Sequence, residues 1–331
     1  MVEQTRRSFM GGAAALAALG PAIGQSIGTA HAQGLSDRPI KIVVPYGPGG
    51  TSDIVARALQ EPLRKALQRT LVIENKAGAT GSIAARYVAN APPDGTTVLV
   101  PNTGNVLAPL MQDKQSFIDY RTSFTPIAQV ADVPMVMVIS GDMPAASVAE
   151  FIAYVKANPG KVNYGTAGVG SFGHLAGELF QRMTGTKMEV VPYSSGSQTD
   201  VAVANGEVKM MINSLPDARI AIGLGKGAKA IAVTTAGPTP LMPGVPPMSD
   251  TIPGFLAVNH FGVLAPPKTP ANIVAILGDA IRSSMADEAV REQYTKLGLE
   301  PRSGSSEELA KLIADDYARW EPVIASLNIG K

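Results

Sequence analysis

Two stretches about a hundred residues apart share one design. Pro45-Tyr46-Gly47-Pro48-Gly49-Gly50-Thr51-Ser52-Asp53 follows the apolar run Ile40–Val44, and Tyr164-Gly165-Thr166-Ala167-Gly168-Val169-Gly170-Ser171 follows Lys161-Val162-Asn163. Each passes from a strand-like run through small residues into a helical pattern. Glycine lets the backbone turn tightly and come close to a ligand. The helix start behind each loop offers unpaired N–H groups and the positive end of a dipole. One such loop is an anion site; two facing each other form a clamp for a small carboxylate.

Other chemistries fit these residues less well. Gly168-Val169-Gly170-Ser171-Phe172-Gly173 matches the dinucleotide pattern G-x-G-x-x-G. The acidic residue that should end the next strand is missing, because Glu189 sits near its start and the run closes on Pro192-Tyr193. Helix packing alone would explain Gly173. Ser171 and His174 raise the question of a nucleophile and its base, yet three residues apart at a helix start Ser171 serves as an N-cap. No orienting partner and no G-x-S-x-G elbow accompany them. Enzymatic activity is therefore not expected. There is no H-E-x-x-H and no calcium-type acidic loop, so neither metal nor cofactor is expected. Asp53 is either a ligand contact or a carboxylate suited to the first turn of its helix. Tyr46, Tyr164 and Tyr193 stand at strand ends, where core packing and an amphipathic pocket lining are both open.

The elements that must position these loops alternate short apolar runs with longer helical patterns, which predicts an α/β chain with mostly parallel strands. Strands are expected at Ile40–Val44, Leu71–Glu74 and Thr97–Val100, with helices at Ile54–Ala66 and Ile83–Ala89. Pro134–Ser140 reads as a strand long enough to leave the first domain. A second set follows: helices Val148–Ala157, Ser171–Met183 and Gln198–Asn205, and strands Val162–Tyr164, Met188–Pro192, Val208–Asn213 and Ala230–Thr234. Val258–Ala265 carries the chain back, ahead of helices Ala271–Ala286, Glu288–Leu297 and Ser306–Ser326. A middle segment with its own βαβ pattern between two long strands implies an inserted domain and two hinge crossings. Domain one is then 33–137 with 259–331, and domain two is 138–258. In open α/β sheets ligands bind at the carboxyl ends of strands, where the glycine loops lie. Trp320, the single tryptophan, is expected to pack against the first domain.

Composition agrees with two real cores: 331 residues, 45% hydrophobic. The net charge of +1 offers neither a nucleic-acid surface nor a polybasic membrane patch. The chain has no cysteine, which excludes disulfides, thiolate catalysis and a lipobox. Thr5-Arg6-Arg7-Ser8-Phe9-Met10 is a twin-arginine signature, followed by a Gly/Ala-rich apolar stretch and by Ala30-His31-Ala32. This predicts a signal peptide over residues 1–32, cleaved after Ala32, and a periplasmic protein. Glycines and Pro21 interrupt the stretch and speak against a membrane span.

In combination these motifs resemble the periplasmic substrate-binding proteins of tripartite tricarboxylate transporters, the Bug family. The residues that carry the resemblance are Val44–Asp53, Glu74–Gly81, Pro92–Thr97, Tyr164–Ser171, Val191–Tyr193 and Phe261–Pro266. The resemblance covers about residues 37–327. It implies a two-domain periplasmic binding protein of the Venus-flytrap, type II-like fold that closes on a carboxylate. Backbone N–H groups, hydroxyls and water would hold that carboxylate without an obligatory arginine. Carried over by motif, Tyr46 through Ser52 and Thr166 through Ser171 (with Ala167, Gly168, Val169 and Gly170 between) are the contacts. Asn102, Thr103, Tyr193 and Asn213 line the rest, with Asp53 and His174 beside them. The ligand class implied is a small organic acid: a dicarboxylate, an aromatic acid or an amino acid. The partners implied are the large and small subunits of a membrane permease, approached by a monomer. A sensory receptor of the same fold, presenting its ligand to a membrane kinase, and an exported serine hydrolase are the alternatives. Ser194-Ser195, Lys209 and His260 depart from the family's usual residues, and His260 is placed where it could face the cleft.

Overall fold

The computed structural model describes residues 34–111 and 118–326; the twin-arginine segment lies outside them. Strands β1 (Ile40–Val44), β2 (Leu71–Asn75) and β3 (Thr97–Leu99) pair in parallel around β1. They are linked by helices α1 (Thr51–Leu67) and α2 (Ser82–Ala89). In α1, Val55, Ala58, Leu59 and Leu63 recur at helical spacing and are buried, so one stripe lies on the sheet. A short helix α3 (Thr103–Leu107) follows β3, started by a reciprocal capping box between Asn102 and Asn105.

Strand β4 (Thr125–Ile139) then runs through both halves of the molecule. The second half holds α4 (Val148–Ala157), β5 (Asn163–Thr166), α5 (Phe172–Thr184) and β6 (Glu189–Pro192). After these come α6 (Gly196–Asn205), β7 (Met210–Ser214), α7 (Leu215–Gly223) and β8 (Lys229–Val233). Strand β9 (Val258–Ala265) returns, followed by α8 (Ala271–Ala286), α9 (Glu288–Lys296), β10 (Glu300–Pro301) and α10 (Ser306–Ser326). The strand order is β2-β1-β3-β9-β4-β7-β5-β6, with β8 and β10 also paired to β4.

β1 pairs in parallel with β2 and β3, and β5 with β6 and β7, but every pairing of β4 and β9 is antiparallel, so the expectation of mostly parallel strands needs correction. β4 pairs antiparallel with β9 over Thr125–Pro134 and with β7 over Met135–Ile139. The reason is directional: one strand carries the chain out and the other brings it back. β4 also begins nine residues before the strand expected at Pro134. Pro126 and Pro134 cannot donate to a ladder, and they hide the strand in the sequence; irregular register at Pro126/Ala128 and Gln129/Ala131 accommodates the disturbance. Helix α7 lies where the sequence pattern predicts no element; its Pro216 sits in the first turn, where the missing N–H is harmless. The boundary expected at 137/138 falls inside β4.

Among the described residues there are three apolar cores. One lies under α1 and α8 in the first half, and another under α6 and α7 in the second. The third is continuous across both, from Val43 and Leu99 through Met135 and Met137 to Phe180. Trp320 of α10 belongs to it, 3% exposed and edge-on to Phe172 of α5 at 5.3 Å between ring centroids. It therefore packs on the second half as well as the first.

Candidate functional site

The starts of four helices converge on one cleft between the halves. α1 contributes Gly50, Thr51 and Ser52; α5 contributes Ser171, Phe172 and Gly173; α6 contributes Ser195 and Gly196; α7 contributes Ser214 and Asp217. Tyr46, Gly47, Asn102, Met135, Gly165, Thr166, Ala167, Ile212, Asn213 and Asn259 complete the lining, around about 550 Å³ of space partly open to solvent. Among the described residues the lining contains no lysine or arginine. Helix geometry leaves first-turn amides without intrahelical partners. In α1 the ladder starts only at Asp53 and Ile54, whose N–H groups bond Gly50 O, so the Thr51 and Ser52 amides belong to the open end.

Asp53 holds the first loop in shape. Its Oδ2 accepts from Gly49 N at 3.1 Å and Arg57 Nε at 2.7 Å, and its Oδ1 accepts from Asn75 Nδ2 at 3.1 Å. The same Asn75 amide reaches Tyr46 O at 3.0 Å. Burial alone would raise the Asp53 pKa; these three donors outweigh it and keep it below the ordinary carboxylate value. Asp53 and Gly49 do not line the cleft. Tyr46 does: burial of its hydroxyl pushes that group up to about 12 despite hydrogen bonds with Asn105 and Asn102.

The second loop is fixed through hydroxyls. Thr166 Oγ1 lies 2.6 Å from Ser171 Oγ, which caps α5 by accepting from His174 N at 3.3 Å. His174 Nδ1 accepts from Gly170 N at 3.0 Å, and burial lowers the pKa of the ring. The imidazole is thus committed to the loop backbone and is not aimed at Ser171 Oγ as a base. Gly173 lies where a Cβ would come 2.6 Å from Ile212 O, so close packing of α5 on β7 explains this glycine. Gly168, Val169, Gly170 and His174 shape the turn without lining the cleft. Val169 O accepts from Thr80 Oγ1 at 2.8 Å, so the loops of the two halves touch.

Thr103 and Tyr193 also lie off the cleft wall. The Thr103 hydroxyl accepts from His260 N, and its own N–H donates to Asn259 Oδ1 at 3.2 Å. Tyr193 packs with Val191 on the core under α6, and Tyr164 is fully buried with its hydroxyl on Glu178. His260 faces away from the cleft: Nδ1 meets Asp132 Oδ1 at 2.5 Å, and Arg302 Nε bonds the other oxygen at 2.7 Å. Lys209 bonds Asp142, and Ser194 bonds Gln198 on the rim of α6.

Gly165, Phe172 and Gly173 extend the second loop's expected contacts, and the other residues that local motifs missed come from other elements. Met135 lies on β4, Asn259 on β9, and Ser195, Gly196, Ser214 and Asp217 open α6 and α7. Asn259 ties the walls together by donating to Ser214 Oγ at 3.2 Å while accepting from Thr103 N. Only the Ser195 cap had a sequence signal, a serine followed three residues later by Gln198.

A cleft of helix starts between two α/β halves, crossed by paired strands, is the architecture of a solute receptor. Residues 55–329 match the model of the tripartite tricarboxylate transporter family receptor. The chain is 32% identical over 290 residues to Protein BugT of Bordetella pertussis, covering 87% of this chain and 88% of that protein. It resembles the structure of R. palustris Rpa4515 with adipate at 31% identity and TM-score 0.82, covering 88% of this chain and 98% of that one. MatC from Rhodopseudomonas palustris with bound malate is similar at 31% identity and TM-score 0.80, over 87% and 99% of the two chains. The chain belongs to this receptor family, the Bug proteins. Its fold is the two-domain α/β fold of periplasmic binding proteins. The family is one of solute-binding receptors rather than enzymes. Among the described residues no helix is long and apolar enough to cross a membrane.

Proposed function

We propose that this protein captures a small organic carboxylate in the periplasm and delivers it to a tripartite tricarboxylate-type permease. One observation carries the reading: the opposed starts of α1 and α5 share a cleft with hydroxyls and amides and, among the described residues, without cationic side chains. A desolvated carboxylate there meets several preorganised N–H and O–H donors, each charge-assisted bond contributing about 1.5–3 kcal/mol. The neighbours with adipate and malate support the same ligand chemistry. Thr51 and Ser52 stand on one side and Ser171 and Ser195 on the other, so a ligand makes contacts that only the closed form offers. The working units are residues 33–137 with 259–331, and 138–258, moving about β4 and β9. Residues 1–32 act as the export signal.

Calorimetric titration of the purified chain with succinate, malate, adipate and dicarboxylic amino acids tests this. At least one should bind with micromolar or tighter affinity. Absence of heat and of any thermal shift with every carboxylate would overturn the reading.

A further inference from the structure

The α7 wall carries a group that a trap for anions alone does not need. Asp217, in the first turn of α7, is 3% exposed and lines the cleft, and its Oδ1 is buried without a hydrogen-bond partner in the chain. Behind it Asp200 of α6 is fully buried; Oδ1 accepts only a long 3.4 Å bond from Asn213, and Oδ2 has no partner. Neither carboxyl is in an ion pair among the described residues. The space is specific: a Cβ on Gly196 would lie 2.7 Å from Asp217 Oδ2, so only glycine at the start of α6 admits the carboxyl there. Across the cleft Thr51 Oγ1 is also buried, with no partner at full hydrogen-bond distance and with the Asp217 carboxyl beside it.

Burial raises the pKa of both acids, and for Asp200 the neighbouring Asp217 adds to it; for Asp217 the nearby Thr51 amide and hydroxyl oppose the shift without cancelling it. A plain dicarboxylate offers no donor to this wall and leaves Asp217 Oδ1 unpaired. A ligand that carries an ammonium beside its carboxylate satisfies both ends. Its anion meets the helix-start amides, and its N–H groups meet the unpaired carboxyl oxygen.

We infer that Asp217, backed by Asp200, reads a protonated amine on the captured acid, so that the receptor prefers amino acids and other amino-substituted carboxylic acids to their deamino counterparts. This rests on the carboxylate-receptor reading and narrows its ligand class.

Paired titrations of the full chain test it at neutral pH: aspartate against succinate, glutamate against glutarate, and 2-aminoadipate against adipate. In the best-binding pair the amino member should bind about tenfold or more tightly, the scale of one charge-assisted hydrogen bond. In Asp217→Asn the ratio should fall to within about twofold, with no loss of melting temperature, because an unpaired buried carboxyl is removed. Asp217→Ser provides the same comparison should the amide disturb folding. Equal or tighter binding of the deamino members by the unmodified protein, or a preference that survives both substitutions, overturns the inference while the carboxylate reading stands. If no member of any pair binds, the carboxylate reading itself falls and this inference with it.

Discussion

Asp53 lies at the head of a helix beside a glycine loop, a position from which a carboxylate can meet a ligand or its own backbone. The structure gives it three donors of its own, Gly49 N, Arg57 Nε and Asn75 Nδ2, and places it behind the loop. Its role follows from those bonds: it sets the path of Gly47–Gly50 so that the amides after Gly50 face the cleft. Asp53→Ala should lower unfolding stability by about 1–3 kcal/mol, the cost of leaving buried donors unpaired, and weaken ligand affinity as the loop relaxes. Urea melts and titration check the two effects. Undiminished affinity with a lowered melt would show that the loop keeps its shape unaided. At this scale the sequence was legible where residues act through neighbours a few positions away, as Ser171 does on His174 N. It was silent on Asp217, Asn259 and Met135, whose contribution depends on elements that meet only after folding. Nothing within four residues of Asp217 signals that Asp200 and Thr51 will stand beside it.

Elements with unbroken periodicity were readable to the residue: Ile40–Val44, Val148–Ala157, Val258–Ala265, Ala271–Ala286 and Ser306–Ser326 occupy the spans expected. Proline obscured β4 and α7, since its effect depends on position: harmless in the first turn of α7, tolerated at irregular register in β4. The paired crossing strands also hold a buried charge cluster, formed by His260 on β9, Asp132 on β4 and Arg302 after β10, with Asp316 and Arg319 of α10 acting at longer range. Burial lowers the His260 pKa, but Asp132 outweighs it and the net shift is upward. Burial likewise raises Asp132, and His260 with Arg302 hold it below its ordinary value. A histidine whose folded pKa is raised stabilises fully below its unfolded value of about 6.5, and the benefit fades as pH climbs through the folded value. A depressed carboxylate stabilises above about 3.9 and loses that effect as pH falls through its folded value. The cluster therefore supports the crossing best in mildly acidic solution. The melting temperature should decline as pH rises above about 6.5, and the decline should be shallower in His260→Gln. Identical slopes for the two proteins would remove His260 from the account.

For the whole molecule, the continuous core and the contact between Trp320 and Phe172 join α10 to the α5 wall of the cleft. Gly104 marks the same junction: a Cβ there would stand 2.6 Å from Phe172 N. Closure on a ligand should seat Phe172 against the indole, and opening should expose it. Since Trp320 is the single tryptophan, its emission should shift to shorter wavelength as ligand is added. Phe172→Ala should abolish most of that shift, and an unchanged spectrum at saturating ligand would mean that the two halves do not part here.

The antiparallel pairing of Pro134 with Val258 means that the long excursion between them leaves and re-enters the first half at adjacent points. A detour whose endpoints touch imposes no length on the chain that hosts it. The distal lobe is free to gain or lose whole hairpins and helices over evolutionary time without straining its host. A designer could exchange it for another lobe by cutting at those two neighbouring positions.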